Sequence, residues 1–283
     1  MLLRIFALMM VKQWLWLFAL VCINPLFAQE VLDNSAVQNA LNEQTRESFQ
    51  GGEWFKFRIH YGIFNASYAT IAVDEEIWEG KPVYHAKGIG RTTGLARWFY
   101  KLDDYYDSYF TKDIVRPLNF IRNINEGGYK KHVVIRFDHE KSQANVNDLL
   151  KKKKGTFSTA PQVQDLISCF YFLRNQLDVS SIKKGEFVVV NLFFDESNYA
   201  FKFKYLGKEQ LKTKFGYVNT LKFRPYVQSG RVFNSSESIT LWVSDDHNKI
   251  PLRLQAALRV GSITADLDAF KGLKNPFEIV VKN

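Results

Sequence analysis

Between Trp54 and Phe270 apolar and polar residues alternate with a period of two, segment after segment, and short stretches rich in Gly, Asn, Asp and Pro separate the segments. That period puts successive side chains on opposite faces of an extended chain, so it predicts strands with one buried face. Trp54–Tyr61, Ala66–Trp78 and Val83–Ile89 form a first meander, with turns at Gly62–Asn65 and Glu79–Pro82. Leu102–Phe110, Leu118–Asn125 and Tyr129–Asp138 continue it, the last two joined by Glu126-Gly127-Gly128. The clearest signal is at the end. Ile239, Leu241 and Val243 alternate with Thr240 and Trp242, and Leu252, Leu254, Ala256, Leu258 and Val260 alternate with Arg253, Gln255 and Arg259. After Gly261-Ser262, the residues Ile263, Ala265, Leu267 and Ala269 take up the same alternation. A two-residue loop with Gly first suits a type II′ hairpin, which would set Val260 against Ile263, Leu258 against Ala265 and Ala256 against Leu267. All the apolar residues then share one face, and Gln255 and Arg259 meet acidic or hydroxyl neighbours on the other.

Two segments break the period. Val163, Leu166, Ile167, Phe170, Leu173 and Leu177 follow helical spacing, Pro161 fits a first turn, and Ser158 or Thr159 can cap it. This predicts a helix over about 161–178, behind a charged loop, Lys151-Lys152-Lys153-Lys154-Gly155. Glu186–Phe194 is apolar on both faces, as in a strand covered on both sides, and the helix is its cover. Arg91–Phe99 reads as a short helix or an excursion from the sheet. The expected fold is mostly β: one large antiparallel, strongly curved sheet or a complete or incomplete β-barrel of about a dozen strands with one covering helix. No repeat or linker divides it.

Ahead of the strands, Arg4 and Lys12 precede the apolar run Trp14–Val21, Asn24-Pro25 breaks it, and Leu26-Phe27-Ala28 ends in a small residue. This is the pattern of a secretory signal peptide cleaved after Ala28, with a retained membrane anchor as the alternative. The expected organisation is a signal peptide over 1–28, an N-terminal leader over 29–50 and a single β-rich domain over 51–283. Export to the periplasm follows, with no permanent membrane span after cleavage. The formal charge of +9, from 38 basic and 29 acidic residues, is interspersed along the chain, and with export it argues against nucleic-acid binding. Without Cys22, Cys169 is the lone cysteine, so stability rests on burial, for which an aromatic content of 15% is ample material.

Candidate chemistry is sparse. The five histidines show no metal-ligand spacing, so neither a metal nor another cofactor is expected. Asp138-His139-Glu140 and Asp245-Asp246-His247 lie where strands end and read as turn chemistry. There is no nucleophile elbow and no phosphate loop. Asp103, Asp104 and Asp107 stand among Tyr105, Tyr106 and Tyr109, and the adjacent Trp98-Phe99-Tyr100 cannot all enter one core. Trp98, Phe99, Tyr100, Tyr105 and Trp242 are the candidate ligand contacts.

Trp242-Val243-Ser244-Asp245-Asp246, Ile250-Pro251-Leu252-Arg253 and Gly261-Ser262, with Tyr61-Gly62, Gly127-Gly128, Asp165-Leu166-Ile167 and Tyr171-Phe172-Leu173-Arg174, resemble the exported bacterial family known as domain of unknown function 3108. The resemblance spans nearly all of the chain after Ala28 and implies a periplasmic all-β protein, with no catalytic residues to carry over. A looser architectural similarity runs to periplasmic lipoprotein carriers, whose incomplete barrel cups acyl chains against helices. The leading expectation is a non-enzymatic periplasmic protein that holds a lipid, acyl chain or envelope glycan. An envelope assembly factor acting through a protein partner is one alternative. A hydrolase of envelope polysaccharide using Asp104 or Asp107 is another.

Overall fold

The computed structural model describes residues 47–226, 239–258 and 260–281; the expected signal peptide and Arg259 lie outside them. The first meander comprises β1 (Glu53–Tyr61), β2 (Phe64–Trp78), β3 (Lys81–Thr92), β4 (Leu102–Thr111), β5 (Pro117–Glu126), β6 (Tyr129–Asp138), β7 (Gln143–Asp148) and β8 (Lys153–Ser158). The second comprises β9 (Phe187–Phe194), β10 (Ser197–Thr213), β11 (Gly216–Tyr226), β12 (Ile239–Ser244), β13 (Pro251–Ala257) and β14 (Ser262–Lys271). Helix α1 (Gly94–Phe99) sits between β3 and β4, and α2 (Ser168–Gln176) lies between the meanders. Each meander pairs antiparallel neighbour to neighbour, and β1 pairs with β14 to fuse them into one 14-stranded sheet with β8 and β9 at its edges.

The sheet curls until its edges approach. Lys153 of β8 binds Glu196 at 2.9 Å, Asn198 donates to the Ser158 carbonyl at 2.8 Å, and the rings of Phe157 and Phe193 lie 6.4 Å apart. No backbone ladder joins β8 to β9, so the sheet is strongly curved and unclosed, which decides a point that the sequence left open. The edges are still protected. A parallel bridge from Gln164 to Leu192 covers β9, and β8 is a short strand carrying Lys153 and Lys154. The expected charged loop is thus half strand: Lys153 and Gly155 face Asp148 and Val146 across β7.

The hairpin at Gly261 has a different register from the expected one. Ala256 faces Ile263, Leu254 faces Ala265 and Gln255 faces Thr264, around a four-residue loop closed by Leu258 N–H to the Gly261 carbonyl at 3.0 Å. The slip is by an even number of residues, so the apolar face is unchanged. Only Val260, now in the loop, leaves it, and it is exposed.

The expected helix over 161–178 is shorter. Residues 161–165 run beside β9, Gln162 has a positive φ of 51°, and the Asp165 carboxylate accepts the N–H groups of Ile167 and Ser168 at 2.8 Å each. This side chain caps the helix at Ser168, in place of Ser158 or Thr159. The expected stripe still faces inward: Val163, Ile167 and Leu177 are buried, and Leu166, Phe170 and Leu173 pack partly against the core. Below α2, Phe49 wedges among Tyr84, Phe110 and Tyr171, with ring centroids 5.1, 6.3 and 4.7 Å away. Burying one such ring contributes about 2–3 kcal/mol. Ser48 and Phe49 therefore belong to the folded body, although sequence alone puts them in the leader.

Candidate ligand-binding cavity

Core side chains fill only part of the concave face. Beside α2 lies a cavity of about 330 Å³, open on one side, lined by strands of both meanders and by one face of the helix. Its walls are overwhelmingly apolar: Phe57, Ile59 and Ile71 on one side, Phe201, Phe223 and Leu241 on another, with Leu166, Phe170 and Leu173 from the helix. Small residues make the space. Ser67 and Ala69 of β2, Ala265 of β14, and Gly88 and Gly90 of β3 all line it. Gly88 and Gly90 are two apart and so face the same way. A Cβ on Gly88 would stand 2.9 Å from Cδ1 of Ile167, so glycine there lets the start of α2 approach the sheet. A Cβ on Gly90 would meet only Leu102 at 3.7 Å and Asp104 at 4.0 Å, so its absence widens the cavity itself.

One wall is polar. Asp104 is buried, lines the cavity and accepts the Asn125 N–H at 3.1 Å, while its Oδ2 receives no hydrogen bond from an N–H or hydroxyl among the described residues. Burial first, and then the neighbouring Glu126 carboxylate, push the Asp104 carboxyl up from 3.8 to about 8. Burial raises Glu126 as well. Two carboxyl groups in contact share a proton, because both cannot ionise there. The sign follows from linkage. A carboxyl whose folded value exceeds its unfolded value contributes stability that is fully present below about pH 4 and lost as pH rises through about 8. Asp104→Asn should therefore flatten the fall in the urea midpoint between roughly pH 4.5 and 8. An unchanged slope in the variant would show that the pair does not share a proton.

The second inward carboxylate, Asp165, is completely buried. It accepts the Ser108 hydroxyl at 2.6 Å in addition to the two amide groups at the start of α2, and burial raises it to about 6. Cys169 also lines the cavity, and burial pushes its thiol well above the ordinary range, as suits a packed group.

None of the five residues singled out in the sequence lines the cavity. Trp98 and Phe99 are exposed on α1. Tyr100 is buried beside Leu102, with its ring against Gly127. Tyr105 is exposed on the outer face and accepts from Arg91 at 2.9 Å. Trp242 is a core residue whose indole N–H donates to Glu209. Alternation explains the miss: the wall of β4 is built by Leu102, Asp104 and Tyr106, so Tyr105 must point away. It also separates Asp104 from Asp107, which faces outward to His85 at 2.9 Å. The acidic turns match their expected role. Asp246 accepts Ser244 Oγ and the Asn248 and Lys249 N–H groups, and Asp138 accepts the Lys141 N–H. Among the described residues no cluster of three potential metal ligands forms, and no helix is long and apolar enough to cross a membrane.

The family model described as "Protein of unknown function (DUF3108)" matches residues 56–268 of this chain. No curated protein matches. Among solved structures the chain is similar to a β-barrel-like protein of domain of unknown function DUF1849 from Brucella abortus, at 10% identity and a TM-score of 0.48, over 80% of this chain and 99% of that one. It is also similar to a DUF1089 family protein from Pseudomonas aeruginosa, at 9% identity and a TM-score of 0.35, over 65% of this chain and 87% of that one. At those scores the architecture rests on the strand pairing described above.

Proposed function

The chain belongs to the DUF3108 family, and we propose that it is an exported, non-enzymatic binding protein of the periplasm that holds a lipid acyl chain in the cavity beneath α2. The observation that carries this reading is the cavity: about 330 Å³ of unfilled space lined by aliphatic and aromatic side chains in an otherwise packed body. That size is at the lower end for small-molecule sites, which are concave and mostly apolar with a few placed polar groups. The lining favours an acyl chain over a glycan, because a sugar needs a hydrogen-bond partner for each hydroxyl and would leave many unpaired here. The paired carboxyls Asp104 and Glu126 offer one polar point of contact, suited to a hydroxyl or ester at the end of such a chain. A carboxylic nucleophile and acid for polysaccharide hydrolysis would have to converge across an open cleft. Asp104 and Asp107 lie on opposite faces of β4, which disfavours that alternative.

The test is native mass spectrometry on protein taken from the periplasm without detergent, followed by solvent extraction. The wild type should carry extractable lipid. Gly90→Phe, which directs a ring into the cavity without a backbone clash, should carry at least about tenfold less, a loss of about 1.4 kcal/mol in binding, and melt within a few degrees of wild type. A lipid load that is the same in both proteins would sink the proposal, as would a wild type that stays empty after incubation with fatty acid.

A further inference from the structure

The exposed apolar side chains are concentrated at one end of the sheet. Strand pairing brings the β1–β2 turn, α1, the β7–β8 turn and the β13–β14 turn to that end. Ile63 and Phe64 are 87% and 71% exposed, Trp98 87% and Val260 71%, with Leu95 and Leu150 also exposed beside them. Tyr61 ties two of these turns together by donating to the Val260 carbonyl at 2.9 Å. At the opposite end Ile77, Ile114, Ile279 and Val281 are the exposed large apolar residues among the described residues, and no tryptophan stands with them. The cavity reaches the apolar end: Ser67 and Tyr68 of β2, Gly90 and Arg91 of β3 and Leu102 of β4 line it, all within a few residues of those turns, while Lys249 and Pro251 line it toward the other end.

The same end is positively charged. Arg91, Arg97 and Lys101 share the single carboxylate of Asp103, at 3.0, 2.9 and 3.8 Å. Lys151 and Lys152, exposed next to Leu150, form no ion pair among the described residues. Apolar tips on separate turns, interleaved with cations and carrying an exposed tryptophan, suit a fluid surface better than a shape-matched protein interface. Aromatic side chains settle at the level of lipid headgroups, and lysines near them are drawn to anionic lipid.

We propose that this apolar, basic end of the barrel docks on an anionic lipid bilayer, with the tips of α1 and the β1–β2, β7–β8 and β13–β14 turns entering the headgroup layer and Lys101, Lys151 and Lys152 meeting lipid phosphate. Docking in this way brings the cavity residues near Gly90 and Arg91 close to the membrane, but the proposal stands on the rim and does not require the cavity to hold a lipid.

The probe is vesicles of phosphatidylglycerol with phosphatidylcholine, compared with pure phosphatidylcholine, using the full chain. Binding should need phosphatidylglycerol and fall with added salt. Lipid brominated on its acyl chains should quench Trp98, read as the difference between wild type and Trp98→Phe. Lys151→Glu with Lys152→Glu should weaken binding by more than about tenfold, since each lysine near an anionic surface is worth about a factor of five. These exposed substitutions should leave the melting temperature unchanged, and the same vesicle binding should persist in Gly90→Phe, which separates this idea from the cavity reading. Trp98 left unquenched, or binding indifferent to the lysine reversals, would place attachment elsewhere, for instance in the N-terminal apolar run, and overturn the proposal. So would a failure to bind any vesicle, which would leave a protein as the occupant of this surface.

Discussion

Replacing Glu53 by alanine is expected to destabilise the protein by about 3–5 kcal/mol, because it strands the Arg174 guanidinium inside the body. Glu53 and Arg174 are 0% and 3% exposed, and their two hydrogen bonds measure 2.5 and 2.8 Å. Two more of its five N–H groups go to the backbone carbonyls of Ser48 at 2.9 Å and Asn248 at 2.8 Å. The rings of Phe49, Phe55, Phe170 and Tyr171 surround it at 5.2–5.7 Å. A charge so enclosed has no water to turn to once its partner is gone. Glu53→Gln keeps the shape and an acceptor while losing the charge, so its cost should be smaller. Glu53→Leu with Arg174→Met removes both charges but leaves the Ser48 and Asn248 carbonyls without a donor. It should fall between wild type and Glu53→Ala. Urea unfolding at neutral pH reads all of these, and a loss below about 1 kcal/mol for Glu53→Ala would contradict the account.

The ion pair also marks the boundary of what the sequence reveals. Strands were legible because alternation is a local signal, and it survives errors in register. The Gly261 hairpin shows this: its loop is four residues and not two, yet the apolar face is the expected one because the slip is even. The helix stripe was legible for the same reason, although its start was not, because Asp165 supplies the cap from a position that the periodicity assigns to the helix interior. Glu53 and Arg174 are 121 residues apart, and nothing local joins them. The cavity was hidden for a different reason. It is made by side chains that are missing, and Gly88-Ile89-Gly90 inside a strand was the available sign, since glycine there marks a close approach or a space. The aromatic cluster at Trp98 could be recognised from sequence as unable to enter one core, and its exposure places it on the rim.

Together these contacts define how α2 is held. The segment carrying it is the chain connection between the two meanders, and it must cross from one sheet edge to the other. At its far end Arg174 fastens it to β1. At its near end Asp165 fastens it to Ser108 of β4. A helix pinned at both ends, with fully buried anchors, forms a fixed wall of the cavity and is poorly suited to be a door. If the cavity holds an acyl chain as proposed, its exchange would be left to the end of the barrel near Gly90 and Arg91, where the apolar rim lies.

Asp165→Ala tests the near anchor. It removes the acceptor for the Ser108 hydroxyl and for two amide groups at the start of α2, all of them buried. Lost hydrogen bonds to a charged group, with their donors left unpaired, make the expected cost about 2–4 kcal/mol. The pH dependence carries a sign. Burial raises this carboxyl from 3.8 to about 6, so its contribution is fully present below about pH 4 and partly lost as pH rises through 6. The gap between wild type and Asp165→Ala should therefore be wider at pH 4.5 than at pH 7.5. Asp165→Asn keeps an oxygen for the two amides and an amide group that can pair with Ser108, and should lose about 1 kcal/mol or less. Urea midpoints at the two pH values and hydrogen exchange at residues 167–172 provide the readouts, with faster exchange expected in the alanine variant. Equal losses for Ala and Asn would mean that the oxygen and amide group kept by asparagine do not replace the carboxylate there. Exchange at wild-type rates in the alanine variant would mean that α2 is held without this anchor, and the helix would again be a candidate for movement.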